Sequence, residues 1–162
     1  MIIQYFTKKE NIEKSSAIKI YKDILKISNN FLNKNDFFFE KNYNTSFEIV
    51  SIFLIIIIKK NIHIKLKNYK KINDYLVSTF ISDLDESLRT KGIGDMSIGK
   101  YVKSYVKKFY FRLKAFPDFD DIENKLLFFE YLKIVNFINE KNISEATKQF
   151  LDISSNINIQ GK

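Results

Sequence analysis

Apolar residues recur along most of this chain at intervals of three and four, the repeat of one helix face. Residues 16–31 carry Ile20, Ile24, Ile27 and Phe31 at that spacing. Residues 69–91 carry a longer stripe of Tyr69, Ile72, Leu76, Phe80, Leu84 and Leu88, widened by Val77 and Ile81. In residues 98–116, Ile98, Val102, Tyr105, Phe109, Leu113 and Phe116 gather on one side at about 100° per residue. Lys100, Lys103, Lys107 and Lys114 gather on the other, with Phe111 among them and Tyr110 at the edge. Each pattern predicts an amphipathic helix.

The segment 47–59 is different, because it is apolar nearly all round. Its isoleucines alone would suit a buried strand. Its length, and Thr45 followed by Glu48 in the spacing of a capping box, predict instead a central helix covered on every side. Residues 33–44 read as an asparagine-rich connection holding Phe37, Phe38 and Phe39.

Punctuation supports these limits. Gly92 follows the third stripe where a left-handed residue closes a helix, and Asp95 or Ser97 can cap the next one. Pro117 ends that helix, and Asp118, Asp120 and Asp121 suit the positive start of another, which carries Ile122, Leu126, Phe129, Leu132 and Val135. Ser144 is read as the cap of a short last helix, and residues 154–162 as a loose tail. The expectation is an all-α fold, one bundle of about six helices over residues 1–153 with a buried central helix. With 162 residues, one proline and four glycines, the chain has the size of one domain and few breakers for the turns a sheet needs.

Composition narrows the chemistry. Without cysteine there is no disulfide, thiol nucleophile or thiolate metal site. His63 is the only histidine and is read as a loop residue, so no triad or histidine-based metal site assembles. The Asp120-Asp121-Ile122-Glu123-Asn124 run looks like a magnesium motif of helical terpenoid enzymes, but the second motif and large cavity such enzymes need are missing. No phosphate-binding glycine loop occurs. The reading is therefore of a protein that is not an enzyme, with no cofactor and no metal.

The longest apolar run, 52–58, has seven residues where a spanning helix needs about 20. The amino end has no arginine and no apolar run of signal-peptide length, so neither secretory nor mitochondrial targeting is expected. A net charge of +8 invites a nucleic-acid reading, yet only Arg89 and Arg112 are arginine among the 27 basic residues. Phosphate and base recognition favour the arginine fork, so DNA is not expected as a partner. A basic helical module for RNA or the ribosome remains the rival reading, on the strength of the lysine face.

One passage carries a family resemblance. It contains the triplet Asp83-Leu84-Asp85, then Leu88-Arg89-Thr90-Lys91-Gly92-Ile93-Gly94-Asp95-Met96, then Phe109-Tyr110-Phe111-Arg112. This resembles the signature of the ubiquinol–cytochrome c chaperone family, with its DMD-like triplet, its LRE-GVGDL-V-K centre and its basic helix ending FYGR. The departures are Thr90-Lys91 for an acidic-then-variable pair and Phe111 for glycine.

The resemblance implies an all-helical protein of alphaproteobacteria and mitochondria that binds newly made cytochrome b and assists assembly of respiratory complex III. It also implies a small partner protein near the ribosome in the mitochondrial relatives. The expected location is the cytoplasm or the cytoplasmic face of the inner membrane, in peripheral contact with anionic lipid; in eukaryotic relatives it is the matrix side. Candidate client-binding residues are Asp83, Asp85, Arg89, Gly92, Gly94 and Asp95 around the elbow. Lys100, Lys103, Lys107, Tyr110 and Phe111 are candidates on the basic helix.

Three bland roles stand beside these. The glycines can simply end a helix, Asp85 and Arg89 can form a surface pair, and Phe37 to Phe39 can fold back to cover Phe111. Asp83 and Asp85, two apart, point to nearly opposite sides and cannot act as a paired acid and base.

Overall fold

The computed structural model describes residues 2–118 and 125–157, with side chains from Ile12 onward. Six α-helices occur among them: α1 (Ile2–Lys34), α2 (Tyr43–His63), α3 (Tyr69–Thr90), α4 (Asp95–Ala115), α5 (Lys125–Val135) and α6 (Ile143–Ser155). A 3₁₀ turn, Glu140–Asn142, leads into α6. The expected all-α bundle is what the chain forms.

α2 is its axle. Ile49 and every residue from 51 to 57 are at most 2% exposed, so all faces of the helix are covered. α1, α3, α4 and α6 all pack against it. α1 also runs along α3, α3 along α4, and α5 along α6. The loop before α2 is tied to the stretch after α5 by a single antiparallel bridge, Phe38 to Ile138. There the Phe39 amide donates to the Phe137 carbonyl at 3.3 Å and the Asn139 amide to Phe37 at 2.7 Å.

Aromatic rings join the layers. Phe150 of α6 lies with its ring centroid 4.3 Å from Phe31 of α1, 5.0 Å from Phe53 of α2 and 6.0 Å from Phe128 of α5. Edge-on and tilted ring pairs of this kind add to the area they bury.

Several boundaries differ from the sequence expectation. α1 is longer, continuing to Lys34 and reaching back to Ile2. The Thr45–Glu48 capping box does not form. α2 starts two residues before Thr45, and its cap is Asn42, whose side chain accepts from the Thr45 amide at 3.0 Å. The Thr45 hydroxyl donates to the Glu40 carbonyl instead, at 2.6 Å. Glu48 is thereby free to face another helix. His63 is the last residue of α2 and not part of a loop.

α4 begins at Asp95 with Gly94 as cap, so neither Asp95 nor Ser97 plays that part. The Gly94 carbonyl accepts from both the Ser97 and Ile98 amides at 3.0 Å. α6 is capped at Asn142, not at Ser144.

In α5 the buried side chains are Phe128, Tyr131, Leu132 and Val135, while Leu126 is 62% exposed. Residues 126–129 are all apolar, so periodicity alone could not choose the face; packing on Phe116 and Phe150 chooses it. The acids Asp120 and Asp121, with Ile122, lie outside the described residues. α6 runs through Ser154 to Ser155, and Ile157 beyond it is buried.

Candidate functional site

The elbow between α3 and α4 is built by backbone geometry first. Gly92 has φ +93°, a left-handed conformation that costs an L side chain about 1–2 kcal/mol. That turn lets the Gly92 amide donate to Arg89 at 2.9 Å and the Ile93 amide to Leu88 at 3.2 Å, which satisfies two carbonyls left over at the helix end. Gly94 has φ −72°, and a Cβ added there meets nothing within 4 Å. Only the first glycine is demanded by conformation. Gly92→Ala is therefore expected to lose about 1–2 kcal/mol in urea denaturation and Gly94→Ala close to nothing. Equal losses would mean that the elbow is not held by the left-handed residue.

Arg89 then clasps the corner. Its Nε donates to Asp85 Oδ2 one turn back at 2.6 Å, and its Nη1 donates to Asp95 Oδ1 in the first turn of α4. The bonds to Asp85 and then Asp95 raise the pKa of the guanidinium above its ordinary value. Asp95 also sits where the helix start favours negative charge. Arg89, Gly92, Gly94 and Asp95 are thus one exposed assembly, and Asp85 belongs to it.

Asp83 does not. It turns toward α1 and accepts the Tyr21 hydroxyl at 2.7 Å. Burial, and then this bond to Asp83, hold the Tyr21 phenol protonated far above the usual tyrosine range. One turn on, the Tyr43 and Ser87 hydroxyls meet at 2.8 Å. These groups line a cleft of about 210 Å³ between α1, α2 and α3, walled by Leu25, Phe47 and Phe80, with the Asp83 carboxylate among the lining groups. The two acids of the triplet form no continuous ridge: Asp83 and Asp85 serve different surfaces.

A second polar centre was not anticipated. Glu48 of α2, whose side chain is 4% exposed, meets Arg112 of α4 through two bonds of 3.1 and 3.2 Å and Lys108 at 2.6 Å. The arginine that closes the sequence signature is therefore an internal strut. The clue was available: a carboxylate on a helix buried all round needs a partner, and arginine is scarce in this chain. A cleft of about 280 Å³ adjoins this cluster, lined also by Asn42, Asn44, Phe39 and Phe137.

On the outer side of α4, Lys100, Lys103, Lys107 and Lys114 are all exposed. Phe111 is 64% exposed, so Phe37 to Phe39 do not cover it. Phe37 and Phe38 pack on Phe31 instead, and Phe38 stacks on Phe137.

Among the described residues no three His, Asp or Glu side chains stand close enough to hold a metal ion. No described helix is long and apolar enough to cross a membrane.

Comparison with known proteins agrees with this architecture. A family model described as "Ubiquinol-cytochrome C chaperone" matches residues 35–118, just over half of the chain, from the loop before α2 to the end of α4. The crystal structure of the Cbp3 homolog from Brucella abortus is similar with a TM-score of 0.68 at 20% identity, over 98% of this chain and 90% of that one. At that identity the likeness concerns the fold. Among curated proteins, none matches the chain significantly.

Proposed function

Because this chain belongs to the ubiquinol–cytochrome C chaperone family, we propose that it binds newly made cytochrome b and assists biogenesis of complex III, without catalysing a reaction. The observation that carries this reading is the elbow. Two long helices are locked at a corner by Gly92 and the Arg89 clasp, and the corner displays the charged groups of Asp85, Arg89 and Asp95 together. A rigid surface of this kind can hold a client without losing further conformational entropy.

The α1–α2–α3 cleft suits one client side chain, apolar along its stem and basic at its end, because apolar walls surround the Asp83 carboxylate. On the other surface, half-buried Asp85 and exposed Asp95 would orient basic groups of a second part of the client. A small partner protein and the ribosome belong to the same reading, as does work at the cytoplasmic face of the membrane that receives cytochrome b.

Deleting the gene is expected to lower cytochrome b several-fold and complex III with it. Replacing Asp83, Asp85 and Asp95 together by asparagine, in a protein whose circular dichroism is unchanged, should reproduce most of that loss. Normal cytochrome b after deletion ends the proposal. A normal level after the substitutions alone moves the client surface away from these carboxylates.

A further inference from the structure

α4 carries a second surface that the elbow does not use. At about 100° per residue, its four exposed lysines, Lys100, Lys103, Lys107 and Lys114, fall within one narrow arc of the helix. The same arc, about 100° wide, holds Met96 at 101% exposure, Tyr110 at 50% and Phe111 at 64%. From Met96 to Lys114 it extends about 27 Å. Asp95 is the one acidic residue of α4, and its carboxylate is bound to Arg89 off this arc. The opposite side of the helix, through Ile98 and Phe109, is buried on the bundle. α4 is thus a bundle helix whose outer face alternates cations with large uncovered apolar side chains.

We propose that this face lies flat on an anionic lipid surface, its lysines at the headgroup phosphates and its apolar side chains inserted between headgroups. The proposal deepens the reading above, in which the protein attends a membrane-bound client.

Three observations favour lipid over RNA. Both arginines of the chain are committed to carboxylates, Arg89 to Asp85 and Asp95, and Arg112 to Glu48, so no guanidinium fork serves this face. Lysines on an amphipathic helix act as point charges that need no particular ligand geometry, which suits a fluid headgroup layer. Met96 offers no ring on which a base could stack, but it can enter an acyl boundary as readily as Phe111. Docked this way, the bundle presents a side other than the α4 outer face to the aqueous phase. The α1–α2–α3 cleft, lined by no α4 residue, then stays open to a client.

The test is sedimentation of the full chain with vesicles of phosphatidylcholine and phosphatidylglycerol, against vesicles of phosphatidylcholine alone. Binding to the mixed vesicles at low salt, weakening as salt rises, is expected. Each lysine near such a surface is worth about fivefold in affinity. A variant with Lys100, Lys103, Lys107 and Lys114 all changed to glutamine should therefore lose roughly a hundredfold or more, with its thermal melt unchanged. Phe111→Ser keeps every charge and should still lose roughly tenfold, because it removes an aromatic that the bound state buries.

No sedimentation at low salt overturns the proposal, as does undiminished binding by either variant. So does an RNA oligonucleotide that binds while both kinds of vesicle are ignored; that result would assign the face to nucleic acid. Vesicle binding uses no client, so it can fail while cytochrome b still depends on the protein, and the two ideas fall separately.

Discussion

Glu48→Gln should cost about 3–5 kcal/mol of unfolding free energy, because it strands two cations against each other beside the core. The Glu48 side chain is 4% exposed, and it neutralises both Arg112, at 14%, and Lys108, at 36%. The glutamine amide could accept one hydrogen bond but could not balance either charge. Arg112→Met should cost less, about 1–3 kcal/mol, since Lys108 at 2.6 Å still faces the carboxylate.

Combining Glu48→Gln with Arg112→Met should cost clearly less than the sum of the two, because the second change removes a cation that the first left unbalanced. Urea denaturation of the four proteins measures this directly. Additive losses would show that the three groups are neighbours without coupling.

Phe150→Ala is the second large effect, about 3–5 kcal/mol with a fall in Tm on the order of 10 °C. Phe150 is fully buried and touches rings from α1, α2 and α5. Removing its ring leaves a void between four helices, and none of them can shift to fill it without leaving another partner. The residue lies beyond the 35–118 span that the family model matches, so its loss tests whether that span depends on α6 for its stability. A loss near 1 kcal/mol would show that α6 is an appendage and not part of the core.

Much of the fold was legible because single-helix periodicity is a local signal. The α3 stripe is buried at Ile72, Leu76, Phe80, Leu84 and Leu88, all positions its spacing named. Gly92 ends the helix in the left-handed conformation that its place in the pattern required. The apolar run of α2 proved to be a helix enclosed on all sides, as its length and composition together implied.

What failed was long-range pairing. Thr45 and Glu48 match a capping box locally, but the partner that claims Glu48 is 64 residues away. Asp83 lies in an acidic triplet that looks solvated, yet Tyr21, 62 residues earlier, draws it inward. Periodicity also failed where every position is apolar, as at the start of α5. The candidate site was legible at its elbow and its lysine face. The strut through Arg112 was legible only as a letter in a signature.

Translation delivers the isoleucine run of α2 before α3, α4 and α6, which help to enclose it, have been made. Among the described helices that pack against it, α1 is made before it. At roughly 5–20 residues per second, several seconds separate Ile58 from the Phe150 that closes the far side. During that interval a β-branched, uncharged segment stands open to pairing with any similar strand nearby. A member of a chaperone family thus passes through an exposed stage of its own during manufacture.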